Sequence, residues 1–227
     1  MSISELRAAF RYRVARHLLI GPGLWAWGRP KFTGLENIPR TGPVILAANH
    51  LAISDSFYVV QSARRPVSFL AKADYFTQPG LRGKLKKIFF SGMGQIPVDR
   101  SGGTASSPAL DAATKIVQDG GAWGIHPEGT RSPDGRLYKG KTGAVRVALA
   151  TGTPIVPIAL RNTEDRTLKN FWKREPVTVE VLPPLDLSDA SLDDEASVRR
   201  ATDELMDVLA KHSGQEQVPA YAKPGGK

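Results

Sequence analysis

A histidine and an aspartate five positions apart, His50 and Asp55, stand in the segment NHLAISD, where an apolar run gives way to a turn. Imidazole is neutral and basic at cellular pH, and a carboxylate on its second ring nitrogen fixes the tautomer and stabilises the imidazolium that forms. Such a pair suits removal of a proton from an alcohol. An acyl transfer to an alcohol is one reaction that needs such a base, because a neutral hydroxyl attacks a thioester poorly, and there the acceptor's own hydroxyl can stand in place of a protein nucleophile. The spacing alone arises readily by chance and also reads as a helix-capping Asp beside a structural His.

Two arginine-bearing loops follow in order. GQIPVDR, residues 94 to 100, reads as a strand delivering Arg100 to a loop that continues Ser101-Gly102-Gly103. A guanidinium matches phosphate oxygens with a planar fork, and glycines allow close backbone approach; the plainer reading is a surface turn with Arg100 solvated beside Asp99. HPEGTRS, residues 126 to 132, combines the turn Pro127-Glu128-Gly129, the hydroxyl of Thr130 and the cation of Arg131 after another apolar run. It reads as an oxyanion or phosphate cradle, in which Glu128 orients Arg131 or accepts from an acceptor hydroxyl, or else as a plain turn.

With these segments the sequence resembles the glycerolipid acyltransferases of the 1-acyl-glycerol-3-phosphate acyltransferase type. His50 and Asp55 match that family's His-x4-Asp block, GQIPVDR its second block, PEGTRS its third, and the Val-Pro of Ile155-Val156-Pro157-Ile158 its fourth, in order over about residues 33 to 160. The resemblance implies His50 as general base, Asp55 as its orienting partner, and Arg100, Glu128, Gly129, Thr130 and Arg131 as the acceptor site, with Lys72 as a further phosphate contact. It implies fatty acyl transfer from acyl-CoA or acyl carrier protein to the free hydroxyl of 1-acyl-sn-glycerol-3-phosphate, giving phosphatidic acid for phospholipid synthesis, with no cofactor or metal. Two positions depart from the pattern: His126 stands where the family usually has Phe, and Asp74 where a Glu is more usual. The same motifs fit glycerol-3-phosphate or another lysophospholipid as acceptor. A thioester hydrolase leaves Arg100 and Arg131 without a task, and a non-enzymatic basic membrane protein leaves the ordered blocks unexplained.

The elements that must position these residues follow from the pattern of apolar runs. Strands are expected at Val44 to Ala48, Val67 to Ala71, Gln95 to Val98, Ala122 to Ile125, Ile155 to Leu160 and Val177 to Val181, with helices between them at about 54–63, 81–90, 108–118 and 143–150. That alternation predicts an α/β fold, a mostly parallel twisted sheet flanked by helices, with ligands at the carboxyl ends of the strands. Ser54 is expected to cap the helix after His50. An acidic amphipathic helix from Ser191 to His212 reads as a solvated cap, and residues 213–227 as a disordered tail after an acyltransferase domain of residues 32–212.

Charge and composition bound the partners. The 227 residues carry a net charge of +9 and no cysteine, which excludes disulfides, thiolate metal sites and a Cys nucleophile. No clustered His, Asp and Glu spacing suggests a metal site. Residues 1–31 hold six basic residues against one acidic, with Leu6, Phe10, Val14 and Leu18 at helical spacing and Trp25 and Trp27 beyond. That segment is expected to be a basic amphipathic helix lying in an anionic membrane interface, or packed on the domain's own core. No run approaches the ~20 apolar residues of a spanning helix, and Gly21-Pro22-Gly23 breaks the longest candidate. A peripheral or monotopic protein on the cytoplasmic face of the cell membrane is expected, and no nucleic-acid partner, since no basic-aromatic interleaving or binding module occurs.

Overall fold

The structure, a computed structural model, describes residues 21–72, 80, 83, 95–98, 106–164 and 175–223. The amphipathic stretch before Gly21, the helix expected at 81–90 apart from Gly83, and both Asp74 and Arg100 lie outside them.

Seven strands form one sheet. In chain order they are β1 (Lys31–Thr33), β2 (Val44–Ala48), β3 (Val67–Lys72), β4 (Gln95–Val98), β5 (Ala122–Ile125), β7 (Ile155–Arg161) and β8 (Thr178–Val181), and in space they run β1-β8-β7-β2-β5-β3-β4. The neighbours from β7 through β4 are all parallel, whereas β8 runs antiparallel to β7 and parallel to β1. The expected mostly parallel sheet is therefore present. A two-stranded ladder, β6 (Leu137–Tyr138) with β9 (Gln217–Val218), stands apart.

The sheet is covered on both faces, and β2 records this directly. All five of its residues are buried, as a central parallel strand requires. Val44, Leu46 and Ala48 point to the layer containing Tyr58 and Val59 of helix α2 (Asp55–Ser62), while Ile45 and Ala47 point to the opposite layer. That second layer is made by α3 (Ser106–Gln118), α4 (Gly143–Thr151) and α5 (Glu195–Ser213), through Ala113, Val145, Ala148, Val198 and Leu205.

Several expectations are corrected. Gly21-Pro22-Gly23, expected to break a helix, is itself helical, in α1 (Gly21–Gly28). Ser54 makes no capping bond through its side chain; the carboxylate of Asp55 takes the loop amides instead. Helix α5 is not a solvated cap: Val198, Leu205 and Leu209 are fully buried in the second layer. The tail expected to be disordered carries β9, since backbone pairing to β6 supplies there the order that composition does not. Strands β1, β6 and β9 escape a periodicity reading because two or three residues show no period. Among the described residues no helix is long and apolar enough to cross a membrane.

Candidate active site

Strand β2 ends at Ala48, flanked by β7 on one side and β5 on the other. The register places Ala47 beside Ile125 and Ala48 beside Ile158, so residues 49 and 50 leave the sheet next to His126 and Leu160. Asn49, which the sequence reading passed over, continues the ladder with its side chain. Its Nδ2 donates to the Leu160 carbonyl at 2.9 Å and its Oδ1 accepts from Leu160 N at 2.8 Å. A fully buried amide placed this way holds the start of the His50 turn to the sheet.

The turn from His50 to Asp55 closes on its own carboxylate. Asp55 Oδ2 accepts from Leu51 N at 2.6 Å and Ala52 N at 2.7 Å and lies 3.0 Å from His50 Nδ1. The four-residue spacing is thus a loop folded around a buried anion at the N-terminus of α2, where the helix dipole favours negative charge. A carboxylate can only accept, so Nδ1 carries the proton and Nε2 is left with its lone pair.

His126 is brought to the same place by β5. Its ring stacks on His50 with centroids 3.9 Å apart and planes 7° from parallel. Nδ1 lies 3.0 Å from the Ala48 carbonyl and 3.1 Å from that of Asn49, so Nδ1–H donates, and Nε2 accepts from the Ser56 hydroxyl at 3.0 Å. Burial, and then the neighbouring His50, push its pKa from 6.5 down to about 3. His126 is therefore a neutral shelf beneath the His50 ring. Phe69 packs against it at 5.5 Å, and reaches there because Gly124 has no side chain: a Cβ at that position would meet the Phe69 ring at 2.3 Å.

Glu128 corrects the sequence reading. Its side chain turns inward, 1% exposed, with Oε1 accepting from His50 N and Oε2 from Tyr138 N, each at 3.0 Å. It orients backbone rather than Arg131, because two backbone amides claim both oxygens. Burial raises its pKa from 4.5 to about 7, against the pull of these two donors. The same loop holds the other side of His50, since Ser132 N donates to the His50 carbonyl at 2.8 Å. Gly129 sits at φ 77°, a left-handed conformation that favours glycine, and its amide donates back to the His126 carbonyl at 2.9 Å to close the turn.

Thr130 is half-buried and Arg131 exposed. Arg131 lines an open cavity of about 670 Å³ together with Leu51, Ile53, Trp27 and Asp134, so the residues just after His50 form part of its wall. Asp134 is held by Arg136 at 2.6 Å, which brings its pKa down to about 2. Lys72 ends β3 opposite Val98 of β4, the strand that leads toward Arg100. Among the described residues no group of His, Asp and Glu is arranged to hold a metal ion.

The structure thus unites His50, Asp55 and the PEGTRS loop and adds Asn49, Ser56, His126 and Tyr138 to their support. The adjacency of Asn49 to His50 and the odd His126 were the signals available in the sequence.

Comparison with known proteins agrees with this arrangement. The family model described as Acyltransferase matches residues 29–161. A 1-acyl-sn-glycerol-3-phosphate acyltransferase of Borreliella burgdorferi is 35% identical over 157 residues, covering 68% of this chain and 61% of that protein. One from Limnanthes douglasii is 33% identical over 181 residues, covering 78% and 62%. The chain therefore spans about three-fifths of the length of these curated relatives. The crystal structure of the 1-acyl-sn-glycerophosphate (LPA) acyltransferase PlsC from Thermotoga maritima superposes with a TM-score of 0.65 at 20% identity, covering 93% of this chain and 84% of that one, a likeness of fold. With the family match spanning more than half of its length, the chain belongs to the acyltransferase family.

Proposed function

We propose that this chain transfers a fatty acyl group from a thioester, acyl-CoA or acyl carrier protein, to the free hydroxyl of 1-acyl-sn-glycerol-3-phosphate, giving phosphatidic acid. The observation that carries this reading is the 3.0 Å contact between His50 Nδ1 and Asp55 Oδ2, which leaves Nε2 as the proton acceptor. His50 Nε2 takes the proton of the acceptor hydroxyl as its oxygen attacks the thioester carbonyl. Asp55 stabilises the imidazolium, the C–S bond breaks, and the proton passes to the departing thiolate. The acceptor supplies the nucleophile, so the site works without one of its own. The names of the similar proteins support the choice of acceptor.

Arg131, on the cavity wall next to the His50 turn, is suited to the acceptor phosphate, and Arg100 and Lys72 are assigned the same duty from their place in the motifs. Gly129 and Thr130 shape the turn that presents Arg131. Glu128 takes a supporting role, as the clamp on His50. Trp25 and Ile53, 66% and 64% exposed, are large apolar side chains suited to a membrane surface, and Ile53 also lines the cavity. We assign the chain to an anionic membrane surface, facing the cytoplasm, from which a lysolipid reaches the cavity.

The test is thiol release from acyl-CoA with and without lysophosphatidic acid, for the wild type and His50→Ala. Acceptor-dependent release that His50→Ala abolishes is expected. Release independent of acceptor would indicate a hydrolase, and full activity in His50→Ala would overturn the mechanism.

A further inference from the structure

Two routes of hydrogen bonds converge on the Asn49–His50 peptide from the segment after α5, which acyl transfer as described leaves without a task. In the first, Gln215 Oε1 accepts from Asn49 Nδ2 at 2.6 Å and Gln215 Nε2 donates to the Gly135 carbonyl at 2.7 Å. In the second, the backbone of residues 216–220 holds β6: Leu137 N donates to the Glu216 carbonyl and Lys139 N to that of Ala220, both at 2.9 Å. Tyr138, between them, donates to Glu128, whose other oxygen holds His50 N.

The amide of Asn49 has two N–H donors and one oxygen. One donor and the oxygen are used on Leu160, and the second donor has Gln215 as its partner. Take that acceptor away and a fully buried N–H is left unpaired, which favours rotation of the amide out of the ladder. Rotation there moves the Asn49–His50 peptide, and the His50 ring with it. Gln215 also braces Gly135, in the cavity wall that continues from Arg131.

We propose that Gln215 is a positioning residue for His50, and that residues 215–220 form a strap that sets this base against Asp55. The inference rests on the reading of His50 as general base.

In the full chain, Gln215→Met keeps the side-chain length and removes both hydrogen bonds, whereas Gln215→Glu keeps an acceptor for Asn49 and loses only the donor to Gly135. The Met variant is expected to lower kcat by about ten- to a hundredfold, as a small displacement of a reacting group does, with KM for both substrates unchanged. Amide hydrogen exchange at His50 should quicken while Ile45 and Val156 keep their protection, and the Glu variant should recover most of kcat. Unchanged kcat or unchanged His50 exchange in the Met variant would overturn the proposal. So would equal losses in the two variants, or loss of protection at Ile45 and Val156 as well, which would make the segment a source of stability alone. A wild type inactive with every thioester would sink the acyl-transfer reading by itself, and exchange at His50 would still decide the strap.

Discussion

His126 lies face to face with His50 at 3.9 Å, and its own hydrogen bonds leave it neither free to turn nor easy to protonate. Two imidazoles in van der Waals contact cannot both take up a proton cheaply, and here the environment separates their roles. His126, pinned between backbone carbonyls and Ser56, is the one kept neutral, while His50 faces a carboxylate. His126 is therefore a fixed, neutral support for the His50 ring.

That support should be sensitive to acid. The pKa of His126 is about 3 in the folded chain against an ordinary 6.5, so the folded state binds fewer protons between these values. Its contribution to stability is complete above pH 6.5 and is lost as the pH falls toward 3. At pH 5 the loss is about 2 kcal/mol. His126→Phe keeps the stacked ring and removes the titration. Urea unfolding at pH 7.5 and pH 5 should show a smaller acid loss in the variant, and parallel losses would argue that His126 does not titrate in this window.

Glu128 works in the opposite sense. Its pKa is raised from 4.5 to about 7, so the folded state binds more protons and stability declines as the pH rises through that interval. Both its oxygens accept from backbone amides, and Glu128→Gln would set an N–H2 group against one of them. A cost of about 1–3 kcal/mol is expected from the unpaired buried amide, with kcat reduced because the His50 backbone loses its clamp. Chemical denaturation reads the first effect and steady-state kinetics the second; a variant with normal stability would mean that the clamp is unimportant.

Asp55→Asn should separate charge from geometry. The amide oxygen can still accept from Leu51 N and Ala52 N, but the charge that stabilises a protonated His50 is gone. A fall in kcat of about 10²–10⁴-fold is expected. Some stability should be lost as well, because Asp55 Oδ1 is buried without a partner among the described residues and an amide nitrogen placed there would be an unpaired donor. Circular dichroism with single-turnover kinetics distinguishes the two, and retention of kcat would remove Asp55 from the mechanism.

Arg131→Ala should raise KM for the phosphorylated acceptor by about tenfold or more, the worth of a charge-assisted hydrogen bond, with little change in KM for the thioester. Equal effects on both substrates would assign Arg131 to the donor or to the fold.

Membrane contact is testable through the two exposed apolar side chains. Trp25→Ser with Ile53→Ser should weaken sedimentation with anionic vesicles without changing the melting temperature, since both side chains are largely in water. Unaltered sedimentation would place the contact elsewhere in the chain.

Much of this architecture is legible in local sequence. Strands β2 and β5 coincide with apolar runs, because a strand buried on both faces of a parallel sheet must be apolar throughout. The link between His50 and Asp55 is equally local, a turn closing on its own carboxylate over a few residues. What stays hidden is the meaning of residues whose partners are far away. Glu128 reads as a ligand-facing acid until the register of β2 with β5 brings it to the amide of a residue 78 positions earlier. His126 stands out in the sequence only as a departure from the family's usual Phe, and the adjacency of two strand ends makes it the shelf under His50. Gln215 lies 166 positions from Asn49, in a stretch whose composition suggested no structure at all.

By itself, then, the sequence determined the alternation of strands and helices, the turn from His50 to Asp55 and the order of the motif-bearing loops, all of which depend on neighbours within a few residues. The tertiary structure alone decided which groups face the cavity and which hold the backbone, because burial and hydrogen-bond partners are set by strands that pair across scores of residues and leave no local trace.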